Sequence, residues 1–259
     1  MLAATLLLLL GLAILLVPPQ IFPQDSELGK HYLSVSASFD PVIVTRANTD
    51  QKVVALTFDD GPDPRYTPQV IEILREYKVP ATFFVVGEDA RLYPEIIAQE
   101  VKAGHEVENH SFTHPDLLRE TDLTTSEEIL WCQQAVTDLT GRDPLYFRPP
   151  RGLYNLDILK LADVIGYRVV LWTVCLENQK APTPRQMVER VMKRCVPGAI
   201  ILAHDGRTDR SKSVQALPLL LQSLQEKGYR LVTLHELLTA YDRPLKPDLT
   251  GILSPRSCK

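Results

Sequence analysis

The sequence contains no C-x-x-C pair: its cysteines stand apart at Cys132, Cys175, Cys195 and Cys258, so the usual zinc-finger, iron–sulfur and thioredoxin signatures are missing. Any bound metal must therefore use other ligands. Four thiols could make two disulfides in an exported chain, but the spacing gives no pairing, and buried free cysteines fit it equally well. There is no G-x-G-x-x-G turn and no phosphate-binding loop, which leaves a dinucleotide-type open sheet without support. Dense basic runs are absent too. With 28 Lys and Arg against 32 Asp and Glu, and a net charge of -4, no stretch is suited to neutralising a phosphate backbone, and nucleic acid is not an expected partner.

What is present is a chain of 259 residues, 45% hydrophobic and 23% charged, which is ordinary for one globular domain. It opens on an apolar run, Leu2 to Val17, broken only by Thr5 and Gly11 and stopped by Pro18-Pro19. The run is short for a membrane span, which takes about 17 to 25 residues, unless Met1 and Ile21 to Phe22 extend it. No Lys or Arg precedes it and no A-x-A-like site follows it, so residues 1–23 are expected to be an uncleaved signal anchor rather than a cleaved signal peptide. A buried core helix fits poorly, because the run is apolar on every face and leads into prolines. The domain is thus expected on the periplasmic or extracellular side of a membrane, or secreted if the segment is cleaved. Residues 24–51 have the mixed composition of a linker with one short strand at Val42 to Thr45. The folded domain is expected over 52–242, as a monomer, and the Pro- and Ser-rich residues 243–259 as a poorly ordered tail.

From Val53 onward, strand-like and helix-like patterns alternate. Strands are expected at Val53 to Phe58, Ala81 to Val86, His105 to Glu108, Leu145 to Phe147, Arg168 to Val174, Ala199 to Ala203 and Arg230 to Thr233. Helices are expected at Pro68 to Tyr77, Tyr93 to Ala103, Asp122 to Leu139, Leu156 to Ile165, Pro184 to Arg194, Val214 to Lys227 and Leu234 to Tyr241. About seven βα units in one run require parallel strands with helical crossovers, and the length fits an α/β fold of the TIM-barrel-like kind, a distorted (β/α) barrel.

Four polar clusters fall directly after strands: Asp59-Asp60, His110 with His114, Arg148, and His204-Asp205. In a parallel barrel the carboxyl ends of all strands open onto one face, so these clusters can converge. One Asp after a strand is often just a helix N-cap, and an isolated His pair often serves as caps or core hydrogen-bonders. A carboxylate from Asp59 or Asp60 added to His110 and His114 makes a three-ligand set with an open position, the catalytic zinc pattern. The two aspartates are expected to differ in role, since consecutive side chains at a strand end diverge. Asp59 and His204 are the natural base and acid, and Arg148 can keep the basic carboxylate ionised or serve as a structural ion pair. His105 and His235 read as structural, His31 as linker, Trp172 as core, and Asp205 as loop support or a cap.

Thr57-Phe58-Asp59-Asp60-Gly61-Pro62, His110-Ser111-Phe112-Thr113-His114, Arg148-Pro149-Pro150-Arg151-Gly152 and Leu202-Ala203-His204-Asp205 resemble the successive motifs of the polysaccharide deacetylase family, carbohydrate esterase family four, and Pro80 to Gly87 resembles its second strand. The likeness spans about Lys52 to Tyr241, in motif order. It implies a distorted (β/α) barrel that removes N-acetyl groups from sugar polymers such as peptidoglycan or chitin with a divalent metal, usually zinc, with cobalt or another divalent ion as the alternative. Asp60, His110 and His114 would hold the metal, and Asp59 would be the base that deprotonates the attacking water. The backbone N–H of Arg151 would stabilise the oxyanion, His204 would protonate the departing amine, Arg148 would orient Asp59, and Leu202 would line the acetyl pocket.

The sequence departs from the family pattern at three places. Glu108 stands where Gly is usual, tolerable if it points away from the metal. Arg151 stands for the frequent Tyr, of which only the backbone is needed. After the strand at Arg168 to Val174, Cys175-Leu176-Glu177-Asn178-Gln179 replaces an Asp-x-x-Asp-Trp-like motif, with Cys175 in place of the Asp that tunes the catalytic histidine and Gln179 in place of a Trp wall. Loss of that carboxylate is expected to lower the pKa of His204 and loosen it, unless Glu177 substitutes from its different position. The competing readings are an O-acetyl esterase or non-sugar amidase with the same metal site, and a glycan-binding pseudoenzyme.

Overall fold

A computed structural model of the protein describes residues 42–242. The strand Val53–Asp59 is buried at every position because alternate residues enter two different cores. Val54, Leu56 and Phe58 pack toward the helices, while Val53 and Ala55 join an inner cluster with Phe84, Ile200 and Leu202. A strand covered on both faces needs helices outside and side chains inside, which is the barrel layering the alternating pattern requires.

Among the described residues the strands are β1 (Ile43–Val44), β2 (Val53–Asp59), β3 (Thr82–Val85), β4 (Glu106–Asn109), β5 (Tyr146–Phe147), β6 (Arg168–Val170), β7 (Val174–Cys175), β8 (Ile200–His204) and β9 (Arg230–Val232). They pair in parallel in the order β1-β6-β5-β4-β3-β2-β8-β7, with β9 beside the first residues of β2. The helices are α1 (Thr67–Tyr77), α2 (Gly87–Leu92), α3 (Pro94–Lys102), α4 (Asp122–Thr140), α5 (Leu156–Ile165), α6 (Pro184–Arg194) and α7 (Ser211–Glu226), followed by a short turn at Leu234–Glu236 that widens into a π-turn over Leu237–Tyr241. Local chemistry fixes several ends. A reciprocal Thr183–Gln186 capping box and Pro184 start α6, and Asn155 caps α5, which stops at Gly166 with φ 103°.

Two differences from the expected elements have physical causes. The helix expected over Tyr93 to Ala103 is preceded by a separate one, α2, and the break falls before Pro94, which disfavours helical geometry at Tyr93 (φ -126°, ψ 57°) and opens α3 at its first position. The segment Arg168 to Val174 is not one strand. Its first part, β6, lies between β1 and β5, whereas β7 lies beside β8 at the far end of the pairing path. Leu171 N–H donates to Val44 and Thr173 N–H to Ile200, so these residues step from one end of the sheet to the other and close the barrel. The carbonyls of Val170 and Leu171 meanwhile accept from the Arg148 guanidinium at 3.1 Å each.

The ordered sheet also begins before Lys52: β1 lies in the stretch read as linker, and Ala47 is fully buried with its N–H donating to Gly198. Residues 1–23, most of the remaining linker and the tail 243–259 lie outside the described residues. Among the described residues no helix is long and apolar enough to cross a membrane.

Candidate active site

Parallel register brings the polar clusters to one end of the barrel. Asp59 closes β2 opposite both Phe84 of β3 and His204 of β8. His110 follows β4 with its N–H on Val85, and Arg148 follows β5 with its N–H on Asn109. The chain then turns through left-handed backbone at Asp60 (φ 76°), Ser111 (φ 68°), His114 (φ 60°), Arg151 (φ 60°) and Arg207 (φ 66°). The turn at Asp60 changes one expectation. The two adjacent carboxylates do not diverge but both approach His110 Nε2, Asp59 Oδ2 at 3.7 Å and Asp60 Oδ1 at 3.6 Å.

Asp60 Oδ1 lies 3.2 Å from His114 Nε2, and the ligand atoms of Asp60, His110 and His114 all fall within 4.8 Å of one another. The opposite ring nitrogen of His110, Nδ1, sits 2.7 Å from the Arg148 carbonyl, which can only accept, so Nδ1 carries the proton in the neutral ring and Nε2 presents a lone pair. Burial pulls the pKa of His114 down. For Asp60, burial opposes the charged form, but hydrogen bonds to His110 and His114 outweigh it and hold the carboxyl well below the usual range. One carboxylate and two imidazoles therefore converge on one point, and a divalent cation fits that donor set. Arg210 Nη2 donates to Asp60 Oδ2 at 2.8 Å, which turns Oδ1 toward the histidines.

The His110-x-x-x-His114 segment is a tight turn rather than a helix. Glu128, on α4, accepts from the N–H groups of Phe112 (2.9 Å) and Thr113 (2.7 Å) and from the Thr113 hydroxyl (2.7 Å), while Ser111 Oγ accepts from His114 N–H at 3.1 Å. Arg148 is entirely buried. Its guanidinium donates to Asp59 Oδ1 (2.6 Å), Thr57 Oγ1 (2.9 Å) and the two carbonyls described above, and it lies 4.0 Å from the centroid of the Phe84 ring.

His204 is not left without a carboxylate, contrary to the expectation from Cys175. Glu177 Oε2 stands 3.0 Å from His204 Nδ1, and although burial pushes the imidazole pKa down, the Glu177 charge and hydrogen bond raise it overall. Gln179 is exposed, and Cys175 is buried on β7 with its sulfur 3.6 Å from Glu177 Oε2. Glu108 does turn away from the histidines: its Oε2 accepts from Leu145 and Tyr146 N–H at 2.7 and 2.8 Å, and burial pushes its carboxyl up to about 8.

Leu202 is buried on β8, in register with Thr57 and Cys175. Arg151 sits in a 3-10 turn, with its half-exposed guanidinium 3.6 Å from Asp116. Asp205 accepts from the Thr67 hydroxyl at 2.6 Å, Trp172 is buried within 6 Å of the Arg148 guanidinium, and His105 and His235 bond to the Ala81 N–H and the Tyr146 hydroxyl. An open cleft of about 300 Å³ adjoins Asp60 and is bordered by Asp63, Glu88, Asp89, Tyr93 and Arg207.

Sequence reasoning did not single out Glu128 or Arg210. A glutamate on the core-facing side of a long helix was a readable signal for the first, whereas nothing in the sequence marks the reach of Arg210.

The polysaccharide deacetylase family profile matches residues 46–170. The chain is 40% identical over 191 residues, 73% of this chain and 89% of the relative, to a peptidoglycan-N-acetylglucosamine deacetylase of Bacillus cereus. It is 35% identical to a chitooligosaccharide deacetylase of a Bradyrhizobium species, over 77% of this chain and 98% of that one. Among solved structures, the Bc1960 peptidoglycan N-acetylglucosamine deacetylase superimposes with a TM-score of 0.74 at 30% identity, covering 81% of this chain and 98% of the other. A CE4 family pseudoenzyme from Bacillus anthracis superimposes with a TM-score of 0.72 at 29% identity, covering 80% and 72%. With the barrel, the ordered motifs and a full-length relative in agreement, the chain belongs to the polysaccharide deacetylase family.

Proposed function

We propose that the protein is a metal-dependent hydrolase that removes N-acetyl groups from glycans of the peptidoglycan or chitin type, releasing acetate and leaving a free amine. The observation that carries this reading is the convergence of Asp60, His110 and His114 lone pairs next to an Asp59 held by Arg148 and a His204 held by Glu177. Two relatives named for deacetylation of peptidoglycan and chitooligosaccharide support the substrate class.

A divalent ion held by Asp60, His110 and His114, zinc being the first choice for one carboxylate and two imidazoles and cobalt the second, supplies Lewis-acid polarisation of the acetamide carbonyl and lowers the pKa of water. Asp59 receives the proton of the attacking water on Oδ2, while its Oδ1 stays on Arg148, which fixes the orientation of the carboxylate. His204, with Nδ1 on Glu177, presents Nε2 as the proton donor to the departing amine, without which an amide nitrogen is a poor leaving group. The backbone N–H of Arg151 is assigned to the developing oxyanion and Leu202 to the acetyl methyl. Export and membrane attachment through residues 1–23 belong to the same proposal and rest on the apolar run Leu2 to Val17.

The test is acetate release from N-acetylglucosamine oligomers and from peptidoglycan, with and without added zinc or cobalt, beside Asp60→Ala. Metal-dependent release that vanishes in the variant is the expected result. No release from zinc-loaded protein on either substrate overturns the reading.

A further inference from the structure

Glu177 lies two residues beyond β7, the strand that pairs with β8, and the two strands put it beside the end of β8, where His204 stands. Both of its oxygens are engaged there. Oε1 accepts from the His204 backbone N–H at 3.1 Å and from the Ser213 hydroxyl at 2.7 Å, and Oε2 faces His204 Nδ1 at 3.0 Å. Ser213 is itself buried in the first turn of α7, so the carboxylate is clamped from two elements. A carboxylate that accepts from several donors is stabilised in its charged form, and one on Nδ1 fixes the tautomer and points Nε2 the other way. The position that the family resemblance assigns to the histidine's partner is meanwhile occupied by Cys175.

We propose that Glu177 is the positioning residue of this site: with Ser213 it holds His204 as the proton donor for the amine leaving group, taking from a different point in the chain the task that position 175 does not perform. The inference rests on the deacetylase reading above. In the step concerned, the C–N bond of the tetrahedral adduct breaks, its electron pair goes to nitrogen, and the proton on His204 Nε2 passes to that nitrogen, leaving neutral imidazole and a free amine.

The experiment compares Glu177→Gln, Glu177→Asp and Ser213→Ala with wild type on two substrates, an N-acetylglucosamine oligomer and 4-nitrophenyl acetate. The nitrophenolate leaves without a proton, whereas the amine does not. For Glu177→Gln, which keeps the size and one accepting oxygen but removes the charge, kcat on the acetamide is expected to fall on the order of 100-fold with KM within about twofold, while kcat on the aryl ester changes less than about threefold. Ser213→Ala is expected to show the same pattern at about tenfold, and Glu177→Asp an intermediate loss. Equal losses on both substrates, or no loss on the acetamide, overturn the proposal.

A second measurement needs no turnover. In protein labelled with 15N-histidine, the His204 midpoint is expected to fall by about one pH unit or more in Glu177→Gln, because the lost anion favours imidazolium. An unmoved midpoint sinks the proposal even if the wild type proves inactive on glycans, and a wild type inactive on both glycans with a shifted midpoint sinks the deacetylase reading alone.

Discussion

Arg148 places a permanent charge where no water reaches, and its neighbours are arranged to make that tolerable: one carboxylate, one hydroxyl, two carbonyls and an aromatic face. Truncating one member of such a pair leaves the other buried and uncompensated, which costs about 3–5 kcal/mol. Arg148→Met is therefore expected to lower the stability measured by guanidinium unfolding by that amount and to abolish most acetate release, with Asp59→Asn less damaging to the fold because an amide oxygen can still accept. A loss under about 1 kcal/mol would show that the barrel interior is wetter than its burial indicates. At this scale the sequence was informative wherever a polar residue ends or directly follows a strand, as Asp59, Asp60, His110, Arg148 and His204 do. It offered Glu177 only as a possible substitute, because its place beside His204 depends on β7 pairing with β8 rather than continuing β6.

Among elements, the helix α4 does more than cover the sheet. Its Glu128 gathers two backbone N–H groups and a hydroxyl from the turn between His110 and His114, so the helix holds the distance between the two imidazoles. Groups that orient ligands in this indirect way commonly alter metal affinity 10–100-fold when removed. Glu128→Ala is expected to weaken zinc binding by about tenfold or more in a chelator competition, while Glu127→Ala, its neighbour on the less buried side of the helix, leaves it unchanged; equal affinities for the two variants would argue against the assignment.

Element legibility follows the same logic of local against distant causes. The spans of α5 and α6 agree with expectation because caps and breakers mark them in the sequence: Asn155 and Gly166 for one, the Thr183–Gln186 box for the other. The split of Arg168–Cys175 could not be read, because the segment carries no proline or glycine to mark it and depends on which distant strands its two ends pair with, β1 and β5 for one and β8 for the other.

For the molecule as a whole, buried carboxyls shape the pH response. Glu108 is pushed up to about 8, and Glu100, whose oxygens have no hydrogen-bond partner, is raised well above the ordinary range, both by burial. A carboxyl with a raised folded pKa keeps its proton after the unfolded chain has released it. Stability from such a group is thus full below about pH 4.5 and is lost as pH rises through the folded value, near 8 for Glu108. Glu108→Gln removes that dependence. The difference in unfolding free energy, variant minus wild type, is expected to grow by about 1 kcal/mol per pH unit between pH 5 and 8 and then level off, measured by urea unfolding across the range. Parallel curves for the two proteins would contradict the assignment.

Among the described residues six non-glycine positions have positive φ: Asp60, Ser111, His114, Arg151 and Arg207 in the loops that follow β2, β4, β5 and β8, and Lys78 at the end of α1. Each holds a backbone shape that an L-residue adopts at a cost of about 1 kcal/mol and glycine adopts freely. A library of variants sorted only for heat resistance would drift toward glycine at Ser111, Arg151 and Arg207. It would yield a hardier protein with a slacker mouth, so hardiness and catalysis pull in opposite directions on the same few positions.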